Sequence, residues 1–271
     1  MLADLHLHTT ESDGTWTPRQ VVEEALRLKL AVIAITDHDT TAGLAEAKSS
    51  AGQSLEVIPG IELGASASSG DEVHILGYWI NPGNPALQDQ LKLLRESRIE
   101  RARKILEKLH SLGVFLEYSQ VLQYAQSDVV SRSHIASALL EENVVRSKQE
   151  AFTKYIGLGA PAYVGRFKFT PETAVKIILK SGGVPVLAHP GLLRNLEILP
   201  SLVQSGLVGL EVVHSSHNSQ QTKYFRKLAA EWNLLPSGGS DCHGPGGKDR
   251  VFLGDYTIPV EWVRALAARR I

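Results

Sequence analysis

Short apolar runs alternate with amphipathic stretches through most of the chain. Residues 3–8 (ADLHLH) read as a strand. Thr17-Pro18 then opens a helix to about residue 30, with Thr17 as N-cap and Pro18 at the first helical position, where a missing N–H costs nothing. Residues 31–36 (AVIAIT) are continuously apolar, the mark of a strand buried on both faces. A helix over 41–51 follows, then strands over 56–64 and 72–80. From Pro171 the alternation resumes: a helix to residue 180, a strand at 184–188, a helix at 192–204 and a strand at 208–213. A helix at 219–232, a strand at 235–240 and a closing helix at 260–269 complete the pattern. This rhythm predicts a parallel sheet of about seven strands, best closed as a distorted α/β barrel.

Between these two stretches the periodicity is helical throughout, over 86–112 and near 118–126, 132–144 and 147–157. Within 92–108, seven Lys/Arg stand against three Glu. Residues 1–98 and 168–271 are therefore expected to form the barrel, and 99–167 a helical insertion.

Composition narrows the function. Of 271 residues 43% are hydrophobic, ample for a buried core. Lys and Arg number 28 against 29 Asp and Glu, so binding of duplex nucleic acid, which rests on a basic surplus, is not expected. The single cysteine, Cys242, excludes an internal disulfide. No signal peptide or membrane span is visible, and a cytoplasmic protein is expected.

The chemistry gathers at strand ends. His6 and His8 lie at i and i+2 of one strand and so face the same way. Asp241 and His243 repeat that spacing; Asp37-His38-Asp39 follows AVIAIT directly; Glu62 closes the third strand, His74 lies on the fourth, and His189 ends the run VPVLA. Asp13 sits in the loop after the first strand. Barrel enzymes build their sites at the C-terminal rim, and structural histidines have no reason to collect there. A metal site is the expected consequence. Asp37 and His38 project oppositely, so His38 is the expected ligand, and Asp37 stands behind it to orient a neighbouring histidine.

Taken in order, DLHLHTTESDG, ITDHDT, PGIE, the strand histidine His74, AHP and GSDCH resemble the PHP (polymerase and histidinol phosphatase) family. The subgroup with a helical insertion and an R-x-H-I-A motif is closest. It resembles the nucleoside 3′,5′-bisphosphate phosphatases, some of which also degrade short RNA from 5′ to 3′. The resemblance implies a (β/α)7 barrel with two to three divalent metals and hydrolysis of a phosphate ester by metal-activated water. On that pattern His6, His8, Glu62 and Asp241 share one ion; Asp13, His38 and His243 hold a second; Glu62, His74 and His189 hold a third. Such imidazole-rich sets suit Mn, Fe or Zn better than Mg. The resemblance also implies a phosphate clamp at Arg132 and His134, although His134 is alternatively a ligand in place of His189. Lys168 is a further candidate phosphate contact, as are His214 and His217 at another strand end. The implied substrate is a small nucleotide or short oligonucleotide, with no obligate protein partner. Histidinol phosphate is the rival substrate.

Two other classes compete. Asp37-His38-Asp39 followed by Thr40 also matches the D-x-D-x-T nucleophile loop of haloacid-dehalogenase-type phosphatases, which leaves the other strand-end histidines without a purpose. A non-catalytic, structural metal-binding module is the third reading; lost ligands would be its sign, and the set here looks complete.

Overall fold

The structure is a computed structural model that describes residues 1–125, 130–165, 169–246 and 252–270. It divides into two compact units, Met1–Gln90 with Lys168–Ile271, and Leu91–Phe167.

In the first unit β1 (Leu2–Leu7) leads to α1 (Pro18–Arg27), β2 (Val32–Ile35), α2 (Leu44–Ala51), β3 (Glu56–Ser66) and β4 (Glu72–Tyr78). The N-terminus of α1 is a capping box: the Thr17 hydroxyl accepts from the Gln20 N–H while the Gln20 side chain accepts from the Thr17 N–H. The long helix α3 (Pro85–Ser111) runs from this unit into the second, which continues with α4 (Tyr118–Leu122), α5 (Arg132–Glu141) and α6 (Lys148–Ala151), the last passing into a π-turn at Phe152–Ile156. The second unit has its own core. Ala102, Ile105, Leu106 and Leu109 recur at helical spacing along α3 and pack with Val121, Ile135, Leu139 and Ile156. The chain then returns through α7 (Pro171–Lys180), β5 (Val184–Leu187), α8 (Leu199–Gln204), β6 (Gly209–Val213), α9 (Ser219–Glu231), β7 (Leu235–Gly238), β8 (Ile258–Pro259) and α10 (Val260–Ala267).

The described strands form one sheet in the order β7-β6-β5-β4-β3-β2-β1-β8. It bends into a nearly closed barrel because the segment after β7 returns to β1: Leu7 and Cys242 make a parallel bridge, His8 N–H donates to the Cys242 carbonyl and Asp241 N–H to that of His6. The α/β barrel-like architecture expected from the sequence is thus present, with three differences. β4 runs antiparallel to both β3 and β5. Only residues 67–71 separate β3 from β4, too few for a parallel crossover, so the chain must turn back as a hairpin. An eighth strand, β8, pairs antiparallel with β1. Finally, the helix expected over 192–204 is a 3-10 turn at Pro190–Leu192 followed, after a break, by α8.

The close return of the chain beside β1 depends on Gly239. A Cβ there would collide with the His6 backbone nitrogen and stand 2.7 Å from an Asp4 carboxylate oxygen. Gly239→Ala should therefore lower stability by about 1–3 kcal/mol, the usual range for overpacking, as read by denaturant unfolding. An unchanged midpoint would show that the segment tolerates a wider gap.

Candidate metal centre

Glu62 is 1% exposed and faces five imidazoles. One oxygen, Oε2, lies 3.4 Å from His6 Nε2, 3.3 Å from His8 Nε2 and 3.1 Å from His38 Nδ1. The other, Oε1, lies 2.8 Å from His74 Nδ1 and 3.0 Å from His189 Nε2. The five arrive from four strands or strand ends, β1 supplying two of them. His6 and His8 do share a face, with ring centroids 5.2 Å apart. His74 reaches the same rim because β4 is reversed: its first residues lie where the parallel strands end.

Two more carboxylates complete the cluster. Asp241 Oδ1 is 3.3 Å from His6 Nε2 and 3.0 Å from His8 Nε2, and Oδ2 is 3.3 Å from His214 Nε2. Asp13 Oδ1 is 3.3 Å from His243 Nε2 and 3.7 Å from His8 Nδ1. Four sets can each hold a metal ion on their spacing: His8, Asp13, His38 and His243; His6, His8 and Asp241; His38, Glu62 and His74; and His6, Glu211 and His214.

The donor chemistry fits a cation. Among the described residues, His6 Nε2, both nitrogens of His8, His38 Nδ1, His214 Nε2 and His243 Nε2 are buried yet close no hydrogen bond. Each such group costs about 1–3 kcal/mol. Several of these nitrogens converge on shared carboxylates, where an ion would satisfy them together. Burial alone would push Glu62 up, but His38, His74 and His6 hold its carboxyl well below the usual range. Burial pushes His38 well below its usual value, against the pull of Glu62 and Asp13.

Local structure positions these groups. The sequence led to the expectation that Asp37 orients a neighbouring histidine; among the described residues it hydrogen-bonds Thr9 and Ser12 instead. Its Oδ1 accepts from Thr9 N–H at 2.7 Å and Ser12 Oγ at 2.5 Å, and its Oδ2 from Thr9 Oγ1 at 2.7 Å. It therefore fixes the loop that carries Asp13. With both oxygens so engaged, and Asp39 accepting from Gly64 N–H at 3.1 Å, the aspartyl-nucleophile reading loses its attacking group. His189 (φ 27°) and Asp241 (φ 57°) hold backbone conformations that non-glycine residues rarely adopt, a strain typical of functional sites.

The remaining candidates fall elsewhere. His214 is buried, with Nδ1 beside Ser216 Oγ at 2.8 Å and Nε2 toward Asp241, so it faces the cluster rather than solvent. His217 is spent on the backbone: Nδ1 donates to the Val212 carbonyl and Nε2 accepts from Gly191 N–H, leaving no ring nitrogen for a substrate. Arg132 and His134 belong to the helical unit. The Arg132 guanidinium lies 5.6 Å from the Phe152 ring centroid and 5.8 Å from that of Tyr163, and His134 Nδ1 accepts from Ser131 N–H within the capping box of α5. Lys168 lies outside the described residues. The sequence reading missed Glu211, which is fully buried, 2.9 Å from His6 Nδ1, and accepts from His189 N–H at 2.6 Å. The available signal was a lone acid inside the apolar run VGLEVV.

Comparison with known proteins agrees with this geometry. The family model described as PHP domain matches residues 4–158. A 3′,5′-nucleoside bisphosphate phosphatase of Chromobacterium violaceum is 36% identical, over 90% of this chain and 87% of its own length. A 5′-3′ exoribonuclease of Salmonella typhimurium is 34% identical over 90% and 86%. A phosphoribosyl 1,2-cyclic phosphate 1,2-diphosphodiesterase of Eggerthella lenta is 33% identical over 92% and 96%. A solved structure from Bifidobacterium adolescentis, assigned as a metal-dependent phosphoesterase, superposes with a TM-score of 0.89 at 32% identity, covering 99% of this chain and 96% of that one.

The Asp37 network generates a direct expectation. Asp37→Ala strands the Thr9 and Ser12 donors in a buried place and should cost about 3 kcal/mol of stability. Denaturant unfolding of the variant beside Asp37→Asn, which keeps one acceptor oxygen and should lose less, checks this. Equal loss in both would show that charge rather than hydrogen bonding holds the loop.

Proposed function

The chain belongs to the PHP family and is a metal-dependent phosphoesterase, and on that premise we propose that it removes a phosphate from nucleoside 3′,5′-bisphosphates, with 5′-phosphorylated short RNA as a second substrate class. The observation that carries this reading is Glu62, one buried carboxylate shared between two groups of imidazoles. His6, His8, Glu62 and Asp241 would hold one ion, Asp13, His38 and His243 a second, and Glu62, His74 and His189 a third. Bound there, Mn, Fe or Zn would supply Lewis acidity toward phosphoryl oxygens and toward water.

The chain's own residues do the rest. Three dications would bring six positive charges against the three negative charges of Asp13, Glu62 and Asp241 and a fourth on Glu211, so the assembled site would attract a phosphate dianion. Asp37 keeps Asp13 in place through the Thr9 and Ser12 contacts. Among the described residues no helix is long and apolar enough to cross a membrane. The choice of a bisphosphate is supported by the 36%-identical phosphatase and by Arg132 and His134 within the R-x-H-I-A motif. Arginine suits a second phosphate because its planar fork grips two oxygens together.

The test is a substrate panel on metal-stripped and metal-restored protein: 3′,5′-bisphosphates, 5′-phosphorylated RNA, cyclic phosphodiesters, histidinol phosphate and p-nitrophenyl phosphate. Activity should vanish on chelation, return with Mn, Fe or Zn, and be highest for the bisphosphate. Arg132→Ala should reduce kcat/KM for the bisphosphate by about 1.5–3 kcal/mol while scarcely touching p-nitrophenyl phosphate. Equal damage to both would place Arg132 in the scaffold, where it already meets Phe152, Tyr163 and the Ile156 carbonyl, and would remove the case for a second phosphate contact.

A further inference from the structure

Glu211 lies on β6 and is fully buried; it spaces with His6 and His214 as a possible ion set but belongs to none of the three sets assigned to ions under the proposed function. Its two oxygens serve different partners. Oε1 stands 2.9 Å from His6 Nδ1, whereas Oε2 accepts from the His189 backbone N–H at 2.6 Å. Those partners face opposite oxygens of Glu62: His6 turns Nε2 toward Oε2, and His189 turns Nε2 toward Oε1. His189 also holds φ 27°, a conformation that needs outside support.

We propose that Glu211 is a positioning residue that ties together the two halves of the centre. By accepting from Nδ1–H it leaves the Nε2 lone pair of His6 pointing at Glu62 and Asp241; by accepting from His189 N–H it holds the strained turn that aims the His189 ring. A single carboxylate has the two acceptors required. Glutamine has one acceptor and one donor, so Glu211→Gln must lose a partner either way round. If its amide NH2 faces His6, Nδ1 must accept and the proton moves to Nε2, which then cannot ligate. If its oxygen faces His6, two N–H donors confront each other at His189. Aspartate keeps the charge but is one methylene short of spanning both.

The inference rests on the metal-centre reading, and its test separates the two. Zinc and manganese affinity is measured by chelator competition on wild type, Glu211→Gln and Glu211→Asp, with folding checked by circular dichroism. Both variants should bind about 10–100-fold more weakly than wild type, the usual effect of removing the partner of a ligating histidine. Nitrogen-15 spectra of the zinc-loaded wild type, in which His6 should carry its proton on Nδ1, decide the matter even if a variant fails to fold. Full affinity in either folded variant, or a His6 proton on Nε2 in the wild type, overturns the proposal. A wild type that binds no metal at all instead overturns the centre on which it stands.

Discussion

The structure turns on one ionised carboxylate placed where water cannot reach it. A buried charge is tolerated only when it is paired and hydrogen-bonded; Glu62, at 1% exposure, is hydrogen-bonded to His74 and His189 on one oxygen and faces His6, His8 and His38 on the other. Imidazoles and carboxylates packed this tightly do not satisfy one another, as the unbonded nitrogens of His6, His8, His38 and His243 show. The arrangement is poor as a protein core and good as a shell for cations. That mismatch is the physical content of the functional assignment.

The fold serves that arrangement. β1, β2, β5 and β7 deliver their last residues, or those just beyond, to one rim, as parallel barrel strands do. β4 must reverse to bring His74 there from its beginning, and the five-residue link 67–71 forces that reversal. Behind the ligands stand groups that hold the chain rather than the ion. Asp37 grips the loop of Asp13, Glu211 spans His6 and His189, and Asp4 accepts from Ser240 and Gly254 N–H, joining β1 to the segments on either side of the Asp241–His243 turn. Burial lifts the Asp4 carboxyl to about 6, against the lowering effect of these hydrogen bonds. Such groups orient ligands and tune their basicity.

How much of this was legible from sequence follows from how local each feature is. The side-by-side placement of His6 and His8 needs only strand geometry, and it was legible. The gathering of Asp13, His38, Glu62, His74, His189, Asp241 and His243 was legible because all but His74, which lies within a strand, close or follow an apolar run, although the reversed direction of β4 was not read from its short hairpin link. Partners of side chains were harder. Asp37 was assigned to a histidine and instead holds Thr9 and Ser12, because hydrogen bonds to a loop depend on its path, which no periodicity encodes. Glu211 passed unnoticed in VGLEVV, where only a full accounting of buried charge would have stopped at it. His217 was taken for a substrate contact because histidine at a strand end looks like chemistry; the structure uses both its nitrogens to brace backbone.

The account stands or falls on whether Glu62 sits between ions. Anomalous diffraction from crystals grown with manganese, collected on either side of its absorption edge, tests this directly. The account predicts separate peaks within coordination distance of Oε1 and of Oε2, with His74 and His189 around the first and His6, His8 and Asp241 around the second. Peaks confined to other surfaces, with Glu62 bonded only to protein, would contradict it.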